Sequence, residues 1–205
     1  IRVGPACTLS KIYEHILPKH KIIPGGSCAG VGIGGLTLGG GYGLLARKFG
    51  LTCDSLQSLT MVDGKGNIIH SDNDKELLWA CKGGNNGNFG VVTSMTFKVH
   101  DAPETMQSFK FRSFKVDVAK AKSILERWFS LTKELPDSCF SAFILNHTTT
   151  YILLTNTGKH STSVQKIIDE FASINDKTTQ SVKLPLASAL KNYYGAKDQI
   201  GRAHV

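Results

Sequence analysis

The sequence has 205 residues, 41% hydrophobic and 20% charged, which is enough apolar content for one large or two small cored domains and argues against a disordered chain. It contains no run of about eighteen apolar residues, so no membrane-spanning helix is expected in this stretch. The net charge of +8 comes mainly from residues 106–205, with fourteen basic against eight acidic groups. That excess is scattered lysine (Lys110, Lys115, Lys120, Lys122) without the arginine and aromatic interleaving of a nucleic-acid face; it reads as a solvated basic face, and no nucleic-acid partner is expected.

Residues 1–4 read as a strand entered part-way, and no Met or signal peptide precedes them. Residues 8–17 carry apolar side chains at 9, 12, 13, 16 and 17, helical spacing behind a Thr or Ser cap. Residues 25–50 then hold eleven glycines in 26 positions, too many for a regular helix or strand. Strands are predicted at 56–62 and 67–70, joined as a hairpin by the turn at residues 63–66. A short helix is predicted at 75–81, followed by the Gly- and Asn-rich loop at 83–90 and a strong strand at 91–99.

Near residues 102–103 the texture changes: residues 106–198 contain only Gly158 and Gly195. Residues 109–114 alternate like a half-buried strand. Residues 118–133 form an amphipathic helix with Ala121, Ile124, Leu125, Trp128 and Leu131 along one stripe. Strands at 140–145 and 150–156 and a helix at 163–174 complete this half. The predicted boundary lies near residue 104. Residues 199–205 back-translate to the opening of a common sequencing-library adapter. The chain is therefore expected to be an internal fragment ending in an adapter-derived tail, with its localisation undetermined.

Cys7, Cys28, Cys53, Cys81 and Cys139 form no Cys-x-x-Cys pair and have no His at zinc spacing, so neither a disulfide framework nor a metal site is expected. Residues 30–35 match G-x-G-x-x-G formally. The preceding segment is short, charged and ends in Pro24, and Gly39, Gly40, Gly41 and Gly43 would each cost about 1 kcal/mol in the long helix a Rossmann fingerprint opens. A P-loop is excluded because no Gly-Lys-Ser/Thr follows. What remains is backbone brought close to a large flat ligand, its N–H groups available as donors, or else tight internal packing of the glycines themselves.

The glycine-rich segment at 25–43 resembles the FAD-binding core of berberine-bridge-enzyme-like oxidases, members of the vanillyl-alcohol-oxidase superfamily with a PCMH-type FAD-binding domain. The resemblance continues through residues 47–54, 61–66, 74–80 and 82–92. It implies an α+β fold: the second part of a PCMH-type FAD-binding domain at 1–104, then the start of an antiparallel-sheet-plus-helices substrate domain at 105–198, with 199–205 the adapter-derived artefact. It implies FAD as cofactor, held by Gly25, Gly26, Ser27, Cys28, Gly30, Val31, Gly32, Gly34, Gly35, Gly39, Gly40, Tyr42, Gly43, Gly90, Val91 and Val92.

In this family a cysteine in the glycine-rich segment can form a thioether to carbon 6 of the flavin beside a histidine bond to its 8α-methyl group. Cys28 falls at that position, although the usual Cys-Pro-Thr is Cys28-Ala29-Gly30 here. The partner histidine would lie upstream; His15, His20, His70 and His100 are read as surface or packing residues. Trp79 and Phe89 are expected in the core, and Arg47 and Asp54 as a structural pair. Asn146, His147 and Tyr151 fall where the family builds its substrate pocket, and no role is assigned to them. The implied activity is oxidation of an alcohol, sugar or related small molecule by hydride transfer to a covalently held flavin, with an electron acceptor such as O2 and a catalytic base outside this stretch. The alternatives are a non-catalytic flavin-binding relative of the same fold and a nicotinamide-dependent Rossmann dehydrogenase. Without the upstream loop, residues 1–205 alone are expected to bind FAD weakly or not at all.

Overall fold

The computed structural model describes residues 1–193, so the adapter reading of residues 199–205 lies outside the described residues. Two compact units emerge, one built on Ile1–Ala102 and the other on Pro103–Leu190.

The first unit runs β1 (Arg2–Val3), α1 (Leu9–Ile16), β2 (Lys21–Ile22), α2 (Ile33–Leu38), α3 (Ala46–Phe49), β3 (Leu56–Val62), β4 (Ile68–His70), α4 (Lys75–Ala80), β5 (Val91–Phe97) and β6 (His100–Asp101). Its sheet has the order β1-β5-β3-β4, and β2 and β6 form a separate short ladder. Every strand pairing in it is antiparallel. That arrangement excludes the parallel sheet of a Rossmann domain for this unit. Helix α1 buries Leu9, Ile12, Tyr13 and Ile16 of the predicted stripe, whereas Leu17 follows the helix and is half-buried. Its cap differs from expectation. The Thr8 hydroxyl makes no capping bond and pairs with the Ser10 hydroxyl at 3.0 Å. The N–H groups of Leu9 and Ser10, two of the donors a helix start leaves unsatisfied, go to the carbonyls of Val31 and Ala29 at 3.0 and 2.9 Å.

The β3–β4 hairpin forms as predicted, and its turn is held by Asp63. One carboxylate oxygen accepts from the N–H groups of Lys65 and Asn67, both at 2.8 Å, while the other accepts from the Asn67 side chain. These donors hold the Asp63 carboxyl below the usual carboxylate range. Asp74 caps α4 by accepting from the Leu77 N–H at 2.8 Å.

The second unit runs β7 (Thr105–Ser113), α5 (Val118–Thr132), β8 (Cys139–Asn146), β9 (Thr149–Asn156), α6 (Thr162–Ser173), β10 (Lys177–Gln180), β11 (Leu184–Pro185) and α7 (Leu186–Tyr193). The sheet order is β10-β7-β9-β8, all antiparallel, with β11 also on β7. Alternation along the strands sends Phe109, Phe111, Ile152 and Leu154 to one face, where they pack with Ile124 and Leu131 of α5 and Val164, Ile167 and Phe171 of α6. Trp128 reaches from α5 to donate to the Ser141 hydroxyl of β8 at 2.9 Å. Asp117 and Ser161 cap the two helices. No described helix is long and apolar enough to cross a membrane.

Candidate cofactor site

The glycine-rich run starts where α1 ends its work. The Tyr13 hydroxyl donates to the Ile23 carbonyl and accepts from the Gly25 N–H, each at 3.1 Å, fixing the chain as it leaves β2. Gly25 is buried against Tyr13 and Leu9. Gly43 lies so close to Gly25 that a Cβ there would strike the Gly25 carbonyl. Gly41, at a φ of +80°, turns the chain against Thr52, whose hydroxyl donates to the carbonyls of Pro24 (2.5 Å) and Gly41 (3.2 Å). One side of the run is therefore close internal packing.

The other side faces outward. Ser27, Cys28, Gly30, Gly35, Gly39 and Tyr42 are exposed, Tyr42 by 61%. A Cβ added at Gly30 or Gly35 would meet nothing within 4 Å. The 83–90 loop comes alongside: the Asn85 N–H donates to the Leu38 carbonyl at 3.1 Å, and Gly83 lies against Gly40. From that loop the chain enters β5, where Val91 is exposed and pairs with Val62. An outward strip of glycine backbone thus runs beside a glycine-asparagine loop, with the exposed apolar side chains of Tyr42, Phe89 and Val91 on the two segments.

The predicted cofactor residues divide by burial. Ser27, Cys28, Gly30, Gly35, Gly39, Tyr42 and Val91 are exposed, and Val31, Gly32 and Gly90 are half-buried. Gly25, Gly26, Gly34, Gly40, Gly43 and Val92 are buried. Gly34 packs on Pro5 and Gly26 under Leu36, while the Gly40 carbonyl accepts from the Cys53 N–H at 2.9 Å. These buried positions shape the outer strip from beneath. The supporting partners Pro5, Tyr13 and Thr52 escaped sequence reading because nothing in the local pattern links them to residues 25–43.

Two aromatic expectations are overturned. Trp79 is 76% exposed and Phe89 41%, not core. Trp79 lies on α4, a six-residue helix that buries none of its residues. Phe89 sits in the exposed loop before β5.

The cysteines separate cleanly. Cys53, Cys81 and Cys139 are buried, Cys7 is half-buried and Cys28 is exposed, all as free thiols. Burial pushes the Cys53 and Cys81 thiols up, which keeps them protonated and inert. The histidines have local partners: His15 with Lys19, His70 with Thr60, and His100 with the Ser55 hydroxyl at 3.0 Å beneath the stacked Phe49 ring. His20 ends a short 3-10 turn at a φ of +54°. Asp54 accepts from the Leu51 N–H at 2.8 Å. Among the described residues no cluster of His, Cys, Asp or Glu could hold a metal ion.

The strip suits FAD chemically. Neither residues 25–50 nor residues 82–99 contain an Asp or Glu, so no carboxylate in them repels a bound phosphate. Open glycine backbone admits a flat ring, and the exposed apolar side chains can cover it.

Comparison with known proteins agrees with this chemistry. Residues 1–72 match the family described as "FAD binding domain". The uncharacterized FAD-linked oxidoreductase YvdP of Bacillus subtilis is 53% identical over 111 residues, which is 53% of this chain and 24% of that protein. Berberine bridge enzyme-like 24 of Arabidopsis thaliana is 35% identical over 136 residues, 65% of this chain and 25% of that one. The structure of Physcomitrella patens BBE-like 1 superposes with a TM-score of 0.82 at 27% identity, covering 95% of this chain and 43% of the moss protein. The chain spans about a quarter of the length of these curated relatives.

Proposed function

We propose that this chain is part of a berberine-bridge-enzyme-like, FAD-linked oxidoreductase, whose outward glycine strip holds FAD for the oxidation of an alcohol or sugar, with Cys28 joined covalently to the flavin. The observation that carries the reading is the exposure of Cys28 on that strip, while the other four cysteines are buried or half-buried. Residues 1–104 supply this cofactor surface and residues 105–198 part of the substrate domain.

Ser27, Gly30, Gly35, Gly39, Tyr42 and Val91 hold the cofactor from the exposed side. The buried Gly25, Gly26, Gly34, Gly40, Gly43 and Val92, with the half-buried Val31, Gly32 and Gly90, keep that backbone in place. Tyr42 and Val91 present apolar surface that excludes water from the ring. FAD bound there supplies the hydride acceptor, and O2 or another acceptor takes the electrons on. Cys28 would hold the bound flavin by a thioether from its sulfur to carbon 6, a bond whose formation displaces the carbon-6 hydrogen and passes two electrons through the flavin to O2. No residue of this chain is assigned as the catalytic base.

The test is to denature the intact purified protein and follow flavin absorbance. Flavin that stays with the polypeptide, with its thioether spectrum lost in Cys28→Ala, is the expected result. Flavin retained identically in the variant would reduce Cys28 to a packing residue, and the absence of any flavin would overturn the reading.

A further inference from the structure

The basic excess of the second unit is not uniformly solvated. Lys120 pairs with Asp176 at 3.1 Å and Lys122 with Glu126 at 3.8 Å, while Lys115 is exposed. Lys110 differs: it is half-buried on β7, two residues from the half-buried Arg112. Strand alternation puts both on the face opposite Phe109 and Phe111, away from α5 and α6. In register, Arg112 sits between Tyr151 of β9 and Lys177 of β10, and Lys110 between Leu153 and Thr179.

The Lys110 ammonium lies 4.8 Å from the centre of the Tyr151 ring and the Arg112 guanidinium 5.6 Å from it. Both cations thus lie against the same ring. Strands β7, β8, β9 and β10 contain no Asp or Glu; their charged residues are Lys110, Arg112 and Lys177, all on this one face. Among the described residues no carboxylate pairs with Lys110 or Arg112.

This arrangement is costly as it stands. Like charges directly opposite each other in a sheet, as Arg112 and Lys177 are, destabilise it. The Arg112 Nε donor is buried and has no hydrogen-bond partner, which leaves the desolvation of that group uncompensated. The hydroxyl of Thr155, in register with Ser108 on the same face, is likewise buried without a partner. Burial and the neighbouring Arg112 also push the Lys110 ammonium below its ordinary range. An anion resolves the first of these costs, since it neutralises the repulsion among the cations.

The geometry points to an oxyanion-binding site at Lys110, Arg112 and Lys177, beside Tyr151, that takes a small molecule bearing a carboxylate or phosphate group. A planar guanidinium beside an ammonium matches the paired oxygens of either group. The site stands on the second unit alone and does not rest on the flavin reading.

The experiment titrates inorganic phosphate, and separately acetate, into the intact purified protein, following heat of binding and melting temperature. Saturable binding is expected, weakened about tenfold or more in Lys110→Gln and in Arg112→Gln, and unchanged in Lys122→Gln. Tighter binding of phosphate assigns the site to tetrahedral anions, and tighter binding of acetate to carboxylates. Without added anion, the Lys110→Gln and Arg112→Gln proteins are expected to melt no lower than the parent, because each removes one of three crowded cations; this separates a lost site from a lost fold. Non-saturable binding, equal binding in parent and variants, or a lower anion-free melting temperature in both variants would overturn the proposal.

Discussion

At Gly43 a single hydrogen atom decides whether the glycine-rich run can close. Its α-carbon lies against the Gly25 carbonyl, so a methyl group there meets backbone that cannot swing aside. Gly30, thirteen positions earlier in the same run, has open space where its Cβ would stand. The two positions look alike in sequence and are opposite in structure. Gly43→Ala is therefore expected to lower unfolding stability by about 1–3 kcal/mol in urea denaturation. Gly30→Ala is expected to stay within about 0.5 kcal/mol of the parent. If Gly30 belongs to the cofactor face, its alanine variant should nevertheless lose flavin occupancy on purification. Equal stability losses at both sites would show that the run packs internally throughout. Composition shows how many glycines there are, but not which of them face a neighbouring backbone and which face open space.

Among the elements, those with a strong local signal were legible and those made by distant partners were not. The hairpin at β3–β4 is spelled by alternation around a turn with Asp63 and Gly66, and β8–β9 by two runs of apolar and β-branched residues. Helices α1, α5 and α6 announce themselves by their apolar stripes. By contrast, β10 is Lys-Thr-Thr-Gln, exposed along its whole length, and it is a strand only because β7 offers it an edge. Strands β2 and β6, two residues each, exist by pairing with each other. Helix α2 hides in the glycine run because its glycines weaken helix propensity. The junction before β10 carries an electrostatic consequence. Asp176 accepts from the Phe114 N–H at 2.7 Å and from Lys120 at 3.1 Å, bonds that hold its carboxyl below the usual range. A carboxyl with a depressed folded-state pKa stabilises the fold fully above its unfolded value of about 4, and that contribution is lost as pH falls through the depressed value. The second unit should thus lose stability on acidification below about pH 4, and Asp176→Asn should flatten that slope in melts recorded across the range. An unchanged slope would mean that Asp176 is not tied to Phe114 and Lys120 in solution.

For the molecule as a whole, the division into units separates two kinds of chemistry. The outward glycine strip, the loop beside it and the residues that brace them (Tyr13, Thr52, Pro5) all belong to the first unit. The core of α5, α6 and their sheet belongs to the second. A cavity cut in the second core should therefore be felt there first. Leu154 is fully buried against Phe109 of the neighbouring strand, and Leu154→Ala is expected to cost about 2–5 kcal/mol in that unit. Its thermal transition should move down, whereas the flavin absorbance retained by the purified and then denatured polypeptide should equal the parent's, because the proposed attachment uses Cys28 and its own strip. A variant that folds but carries no flavin would show that attachment depends on the second unit as well, and would place part of the cofactor's support outside the first. A shared transition with unchanged flavin would keep the attachment argument while joining the two cores into one cooperative unit.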